Sequence, residues 1–230
     1  MRDFSLYSGE RQVGATLSEI RRDHVARYEL AIDDLKKRKC KIIADCFCGN
    51  GYGTSYISNS IKNSRVLGID ASKEAIEFAD KHYDNEQTFF INKYFPFKLP
   101  HNTFDAVVSF ESLEHVNNGV EMYKMLVNAL KPGGVLWFSV PNENINSLEI
   151  NKHKFHIKHY TNEEIMQNFM DNMTKKKMYG QDVYIFRNGV QSEILPVDKM
   201  EVKENYEGQV LIYCFEKNKK CNNFFKKILF

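Results

Sequence analysis

The chain has 230 residues, the length of one large domain or of one domain with an appendage. Lys and Arg number 32 against 30 Asp and Glu, a formal charge of +2, which excludes the basic excess of a dedicated nucleic-acid binder. With 43% hydrophobic and 27% charged residues, no spanning apolar run and no secretory stretch in the opening MRDFSLYSGERQVG, a folded cytoplasmic protein without stable membrane insertion is expected.

A polar helical stretch comes first, with apolar positions Leu17, Ile20, Val25, Tyr28, Leu30 and Ile32. The apolar run Ile42-Ile43-Ala44 predicts a first strand that ends in a glycine cluster. A helix over 55–61, a strand over 66–69, a helix over 73–83 and a strand over 88–91 follow. Next come a strand over 106–110, a helix over 120–130 closed by Lys131-Pro132-Gly133-Gly134, and a strand over 135–140 ended by Pro141. Strands alternating with helices of about ten residues predict a mostly parallel sheet covered on both faces, an α/β, Rossmann-like doubly wound fold of seven strands.

Beyond Pro141, Thr161 and Glu164 have the spacing of a capping box that starts a helix. The runs Val183 to Phe186 and Val210 to Phe215 are expected to pair as a carboxyl-terminal antiparallel hairpin at the sheet edge. One domain is expected over 1–230, with a helical cap (1–38), a core (39–145), an acceptor loop with edge strands (146–216) and a basic, frayed tail (217–230). Cys40, Cys46, Cys48, Cys214 and Cys221 are odd in number and contain no C-x-x-C, so reduced, packed thiols are expected.

The densest chemical pattern is Asp45-Cys46-Phe47-Cys48-Gly49-Asn50-Gly51-Tyr52-Gly53, between the first strand and a helix, where glycines let the backbone approach a ligand. Asp70 ends the second strand 21 positions past Gly49, where a carboxylate accepts from both hydroxyls of a ribose. An adenosine site follows. The third glycine stands one place early for a dinucleotide fingerprint, which argues against a nicotinamide-dependent oxidoreductase. Asp45 would repel a pyrophosphate and favours a cationic ligand.

These residues resemble the class I S-adenosylmethionine-dependent methyltransferases. The resemblance runs through Gly9-Glu10-Arg11, Arg27-Tyr28, Asp45 to Gly53, Gly68-Ile69-Asp70, Leu99-Pro100, Phe104-Asp105 to His115, Leu130 to Gly134, Pro141-Asn142 and Phe155-His156-Ile157-Lys158. It implies S-adenosylmethionine as cofactor, with Asp45, Gly49, Asn50, Gly51 and Gly53 along its methionine and ribose, Asp70 on the ribose hydroxyls and Ala71 against the adenine. Where the family often has an acid that reads the adenine amino group, this chain has Asn92, whose amide donates and accepts.

On the acceptor side, His115 and His156 are the first choices for a general base, against orienting the loop or contacting the cofactor for His115 and against loop packing or phosphate contact for His156. Lys152, Lys154 and Lys158, with Arg11 and Arg27, form either a phosphate clasp or a solvated charge run. Tyr7 and Tyr52 are candidates to pack on a ligand, as is Tyr28 on the cofactor, although helix-face packing is the commoner fate for Tyr28. No carboxylate stands at a recognisable ligand spacing from the histidines, so no metal site is expected. The reading is methyl transfer to a small polar acceptor, a sugar hydroxyl in surface-glycan (capsule or lipopolysaccharide) precursor synthesis. That pathway rests on the likeness of Gly9-Glu10-Arg11 to the cap of glycan-associated relatives. The alternatives are N-methylation of a small phosphorylated amine such as ethanolamine phosphate, and a non-catalytic regulator that binds S-adenosylmethionine. The acceptor is thus sugar-linked or phosphorylated, nucleic acid is not a partner, and the oligomeric state is left open.

Overall fold

A computed structural model describes residues 3–219. The parallel strands are β1 (Ile42–Cys46), β2 (Arg65–Asp70), β3 (Thr88–Asn92), β4 (Phe104–Phe110) and β5 (Leu130–Pro141). Between and before them run α1 (Arg22–Arg38), α2 (Tyr52–Ser60), α3 (Lys73–Tyr83) and α4 (Gly119–Ala129). The remainder comprises α5 (Asn162–Asn168), β6 (Met173–Gln181), β7 (Tyr184–Arg187), β8 (Val190–Ile194), β9 (Val202–Glu204) and β10 (Val210–Lys217). Among the described residues no helix is long and apolar enough to cross a membrane.

Local chemistry sets the helix starts. The Ser72 side chain accepts from the Ala75 amide at 3.1 Å and opens α3. Asn118 does the same for α4 through Glu121, and the capping box expected at Thr161 and Glu164 opens α5. Lys39, with φ 58°, closes α1 in the left-handed region.

The main sheet has eight strands in the order β3-β2-β1-β4-β5-β10-β6-β9. Pairings from β3 through β5 are parallel and those of β10 with β5 and β6 are antiparallel. The doubly wound expectation therefore holds with one strand more than seven, the short edge strand β9. Alternation sends neighbouring side chains to opposite layers. Phe138 and Tyr213 pack under α4 and α5 with Leu126 and Phe169, while Trp137 and Ile212 pack under α1 and α2 with Leu35 and Ile57.

Two expectations need correction. The hairpin partner of 210–217 is β6, not the run at 183–186, which instead pairs with β8 across Asn188-Gly189. Both turn residues have positive φ (53° and 79°), as a two-residue hairpin turn requires. The basic tail begins later than expected: Lys217 is a buried residue of β10 whose ammonium bonds Asn102 Oδ1 at 3.1 Å and the Leu130 carbonyl at 2.7 Å. Those acceptors replace the water that a buried ammonium loses. The rest of the tail from residue 220 onward, Cys221 included, lies outside the described residues. Cys40, Cys46, Cys48 and Cys214 are free and buried, and burial pushes the Cys40 thiol up to about 12.

Candidate functional site

Strand order reverses between β1 and β4, and a doubly wound sheet opens its ligand crevice at the carboxyl ends of the strands flanking that point. A cavity of about 690 Å³ lies there, lined among others by Gly49, Asp70, Phe110, Glu111 and Pro141. A second, of about 260 Å³, adjoins it and is walled by Phe4, Phe47, Ala71, Tyr94, Phe95 and Val116. Phe47, Asp70, Arg11, Glu10 and His115 border both.

Three backbone and side-chain donors organise Asp70. Its Oδ2 accepts from the Gly49 amide at 3.0 Å, and its Oδ1 accepts from the Ser72 amide at 2.8 Å and from Arg11 Nη2 at 3.2 Å. Burial raises its pKa, partly offset by the Arg11 guanidinium. Gly49 has φ 58° and open space where a Cβ would stand, so its backbone faces the cavity bare. This cradle, with the apolar slot beyond Ala71, fits an adenosine: Asp70 for the ribose and the aromatic slot for the base.

The other glycines serve packing. A Cβ on Gly53 would lie 2.0 Å from the Tyr28 ring, and one on Gly51 2.6 Å from Ala79 Cβ. Asn50 is fully buried and its amide donates to the Gly14 carbonyl at 3.0 Å, tying down the amino-terminal arm. Asn92, expected at the adenine, is exposed, donates to the Asp70 carbonyl at 3.0 Å and borders neither cavity.

Asp45 lies beneath the turn rather than along the cavity, fully buried, accepting from Thr54 Oγ1 at 2.7 Å and Tyr28 OH at 3.1 Å. Tyr28 itself lines the cavity. Burial lifts the Asp45 carboxyl from 3.8 to about 7. The sign of the linkage follows. Below pH 4 both folded and unfolded states hold the proton. Between about 4 and 7 only the folded state does, so stability declines with rising pH by about 1.4 kcal/mol per unit. Asp45→Asn removes this slope, and urea unfolding at pH 4.5 and 7.5 should show the variant gaining on the natural protein at the higher pH. An equal difference at both values would refute the raised pKa.

The large cavity is also lined by a group of imidazoles and carboxylates. His115, His153, His156 and His159 line it with Glu10, Glu111 and Glu114. The His153 and His156 rings stand 3.8 Å apart between centroids, and His115 and His156 4.9 Å. Burial depresses the His115 pKa to about 4, and burial followed by the neighbouring imidazoles depresses His156 further. Both are neutral at pH 7. Glu114 is fully buried, neither of its oxygens has a hydrogen-bond partner, and burial followed by Glu111 raises its pKa.

Arg27, also buried, donates to Gln181 Oε1 at 2.8 Å and Asp23 Oδ2 at 3.0 Å. Its Nη1 makes no hydrogen bond and lies 4.0 Å from Glu111 Oε2.

The acceptor-side lysines are divided. Lys152 lines the cavity, but Lys154 and Lys158 do not. Lys158 donates to Glu164 Oε1 at 2.7 Å, held by the capping box of α5, and Lys154 lies over the Phe155 ring. Arg11 is drawn to Asp70 on the cofactor side instead of joining them. Tyr7 is 77% exposed and lines neither cavity, whereas Tyr52 lines the larger one. Sequence reasoning missed Phe47, Glu114 and His153 as site residues. Phe47 keeps φ 63° despite its bulk, a conformation no composition or periodicity reveals. The expectation of no metal site also overlooked a grouping the fold makes: ligand atoms of Glu114, His115 and His156 lie within 4.8 Å of one another.

Residues 44–138 match a family described as a methyltransferase domain. The chain is similar to "Putative methyltransferase 235L" of Invertebrate iridescent virus 6, 31% identical over 46% of this chain and 39% of that one. It is also similar to ubiquinone biosynthesis O-methyltransferase of Coxiella burnetii, 29% identical over 47% of each. The matched region thus spans less than half of these curated relatives. The N-methyltransferase NodS of Bradyrhizobium japonicum, solved with S-adenosyl-L-homocysteine, shares the fold at a TM-score of 0.61 and 16% identity, over 86% of this chain and 88% of that one.

Proposed function

We propose that this chain, which has the class I S-adenosylmethionine-dependent methyltransferase fold with the methyltransferase domain over 44–138, methylates a small polar acceptor. One observation carries the reading. A single cavity of about 690 Å³ is lined both by the Gly49–Asp70 cradle and by the imidazoles of His115 and His156. Cofactor and acceptor can therefore meet within it.

When bound, S-adenosylmethionine supplies a methyl group on a sulfonium. The residues of this chain do the rest. Asp70 holds the ribose hydroxyls, Phe47, Ala71 and Phe95 enclose the base, and Tyr28 closes the wall beside the glycine turn. His115 and His156 present ring nitrogens that accept from an acceptor hydroxyl and fix its oxygen, which favours alignment over the long-range reach of a lysine. The arm bearing Glu10 and Arg11 borders both cavities and narrows the way in for water.

A sugar hydroxyl is the leading acceptor, because a group of lone pairs is met by hydroxyl donors, and the Gly9-Glu10-Arg11 likeness supports surface-glycan precursor synthesis as its setting. Glu10, Glu111 and Glu114 on the same wall give an amine acceptor support of its own. The test is conversion of S-adenosylmethionine to S-adenosylhomocysteine over a panel of sugar nucleotides and phosphorylated amines. Turnover confined to sugars is expected. Turnover confined to amines would move the reading to N-methylation, and cofactor binding with no turnover to a regulator.

A further inference from the structure

We propose that Glu114, His115 and His156 bind a divalent first-row transition-metal ion, with open coordination positions facing the large cavity. The first ground is placement. Ligand bonds of about 2.0–2.2 Å put neighbouring ligand atoms about 3–3.5 Å apart. The present spread of up to 4.8 Å needs only a modest inward turn of the side chains.

The second ground is the orientation of the two rings. His159 Nδ1 lies 2.6 Å from the Asn146 carbonyl, which only accepts, so that nitrogen carries the proton and Nε2 is left with a lone pair. His156 Nδ1, 2.7 Å from His159 Nε2, must then be the donor, leaving His156 Nε2 bare. His115 Nδ1, 3.2 Å from the Phe155 carbonyl, is fixed as a donor in the same way, leaving His115 Nε2 bare beside Glu114 Oε1 at 3.8 Å. Imidazoles whose second nitrogen donates to a carbonyl or to another ring are those of metal ligands, held in tautomer and direction from behind.

The third ground is the carboxylate. Glu114 is fully buried and both oxygens lack any hydrogen-bond partner. Protonation does not resolve this, since 3.8 Å to His115 Nε2 is too long for a hydrogen bond. Arg27 does not reach it, for its free Nη1 is aimed at Glu111. A cation among two bare imidazole nitrogens and a bare carboxylate satisfies all three groups together. Two imidazole nitrogens beside one carboxylate favour iron, nickel or zinc over magnesium or calcium, and such a set also takes manganese and cobalt, which serve as spectroscopic probes.

The bearing on catalysis rests on the methyl-transfer reading: with an ion bound, the His115 and His156 nitrogens are its ligands, and the acceptor hydroxyl is held at the open positions instead of directly by the rings. The binding site itself does not depend on it. The test uses the full chain, tag-free and stripped with EDTA. Titration with Mn²⁺, followed by loss of the free-ion electron paramagnetic resonance signal, should show one ion per chain. Co²⁺ should give the visible absorption of a nitrogen- and oxygen-ligated site. Glu114→Gln and His156→Ala should each weaken Mn²⁺ at least 100-fold, and His159→Gln, behind the ligand, about 10- to 100-fold. Unchanged S-adenosylmethionine affinity shows that these variants are folded. Absence of stoichiometric binding of Mn²⁺, Co²⁺ or Zn²⁺, or equal binding by natural protein and folded variants, overturns the site. Metal binding without turnover on any acceptor overturns the methyl-transfer reading and leaves the site standing. Full turnover in EDTA without metal binding does the reverse.

Discussion

Replacing Asp70 by alanine is expected to weaken S-adenosylmethionine binding more than 100-fold. A hydrogen bond to a charged group is worth about 1.5–3 kcal/mol, two ribose hydroxyls bond one carboxylate, and about 1.4 kcal/mol is tenfold. Competition sets the measured value. In the structure Oδ1 accepts from Ser72 and Arg11 and Oδ2 from Gly49, so Arg11 must share or leave as the ribose arrives. Asp70→Asn, which keeps one accepting oxygen, should fall between. Because the Gly49 and Ser72 amides also lose their acceptor, the melting temperature has to be followed beside titration calorimetry. A folded Asp70→Ala protein with unchanged affinity would remove the ribose from this strand end.

His156→Ala should lower turnover by about 10²- to 10⁴-fold, the range for loss of a positioned proton acceptor. The same loss is expected if the ring acts through a bound cation. Its place decides what else changes. His156 packs on His153 and His115 and makes no hydrogen bond or ion pair with Gly49 or Asp70, so affinity for S-adenosylmethionine should stay within about threefold. Near-normal turnover would take His156 out of the reaction. A parallel loss of cofactor affinity would show that the two sides of the cavity are one coupled unit.

Much of this architecture was legible because its determinants are local. Apolar runs of three to six residues with intervening amphipathic helices are sufficient for a parallel sheet, and β1 to β4, α3 and α4 lie close to where periodicity puts them. By contrast, α2 begins at Tyr52 instead of residue 55, and β5 begins at Leu130 and takes in the Lys131-Pro132-Gly133-Gly134 segment expected to close the helix before it. Caps were equally legible: Thr161 and Glu164 meet three residues apart wherever the chain goes next. Strand β6 was hidden because Lys175, Lys176 and Lys177 interrupt its alternation, and it is held by β10 on one side rather than by a pattern of its own. The Asn188-Gly189 turn was written plainly, but its strands are short, half-buried in β7 and exposed in β8, and separate from the main sheet.

The site divides along the same line. The spacing of residues 45–53 and 70 was enough to propose an adenosine cradle, since a strand, a turn and a helix N-terminus fix the backbone within a few residues. What each residue in that stretch touches was beyond such reasoning. Asp45 sinks beneath the turn, Gly53 yields to Tyr28, Asn92 stays outside and Arg11 goes to Asp70, because burial and contact depend on segments far away in the chain.

The acceptor wall depends on tertiary structure altogether. Glu10, Arg27, Glu114, His115 and His156 come from the arm, α1, the loop after β4 and the loop after β5, and only the closing of the sheet sets their side chains around one space. The amino-acid order settled the fold and pointed to the kind of cofactor, through interactions between near neighbours. The desolvation and lone-pair geometry that give the histidines and Glu114 their chemistry arose when distant segments excluded water together.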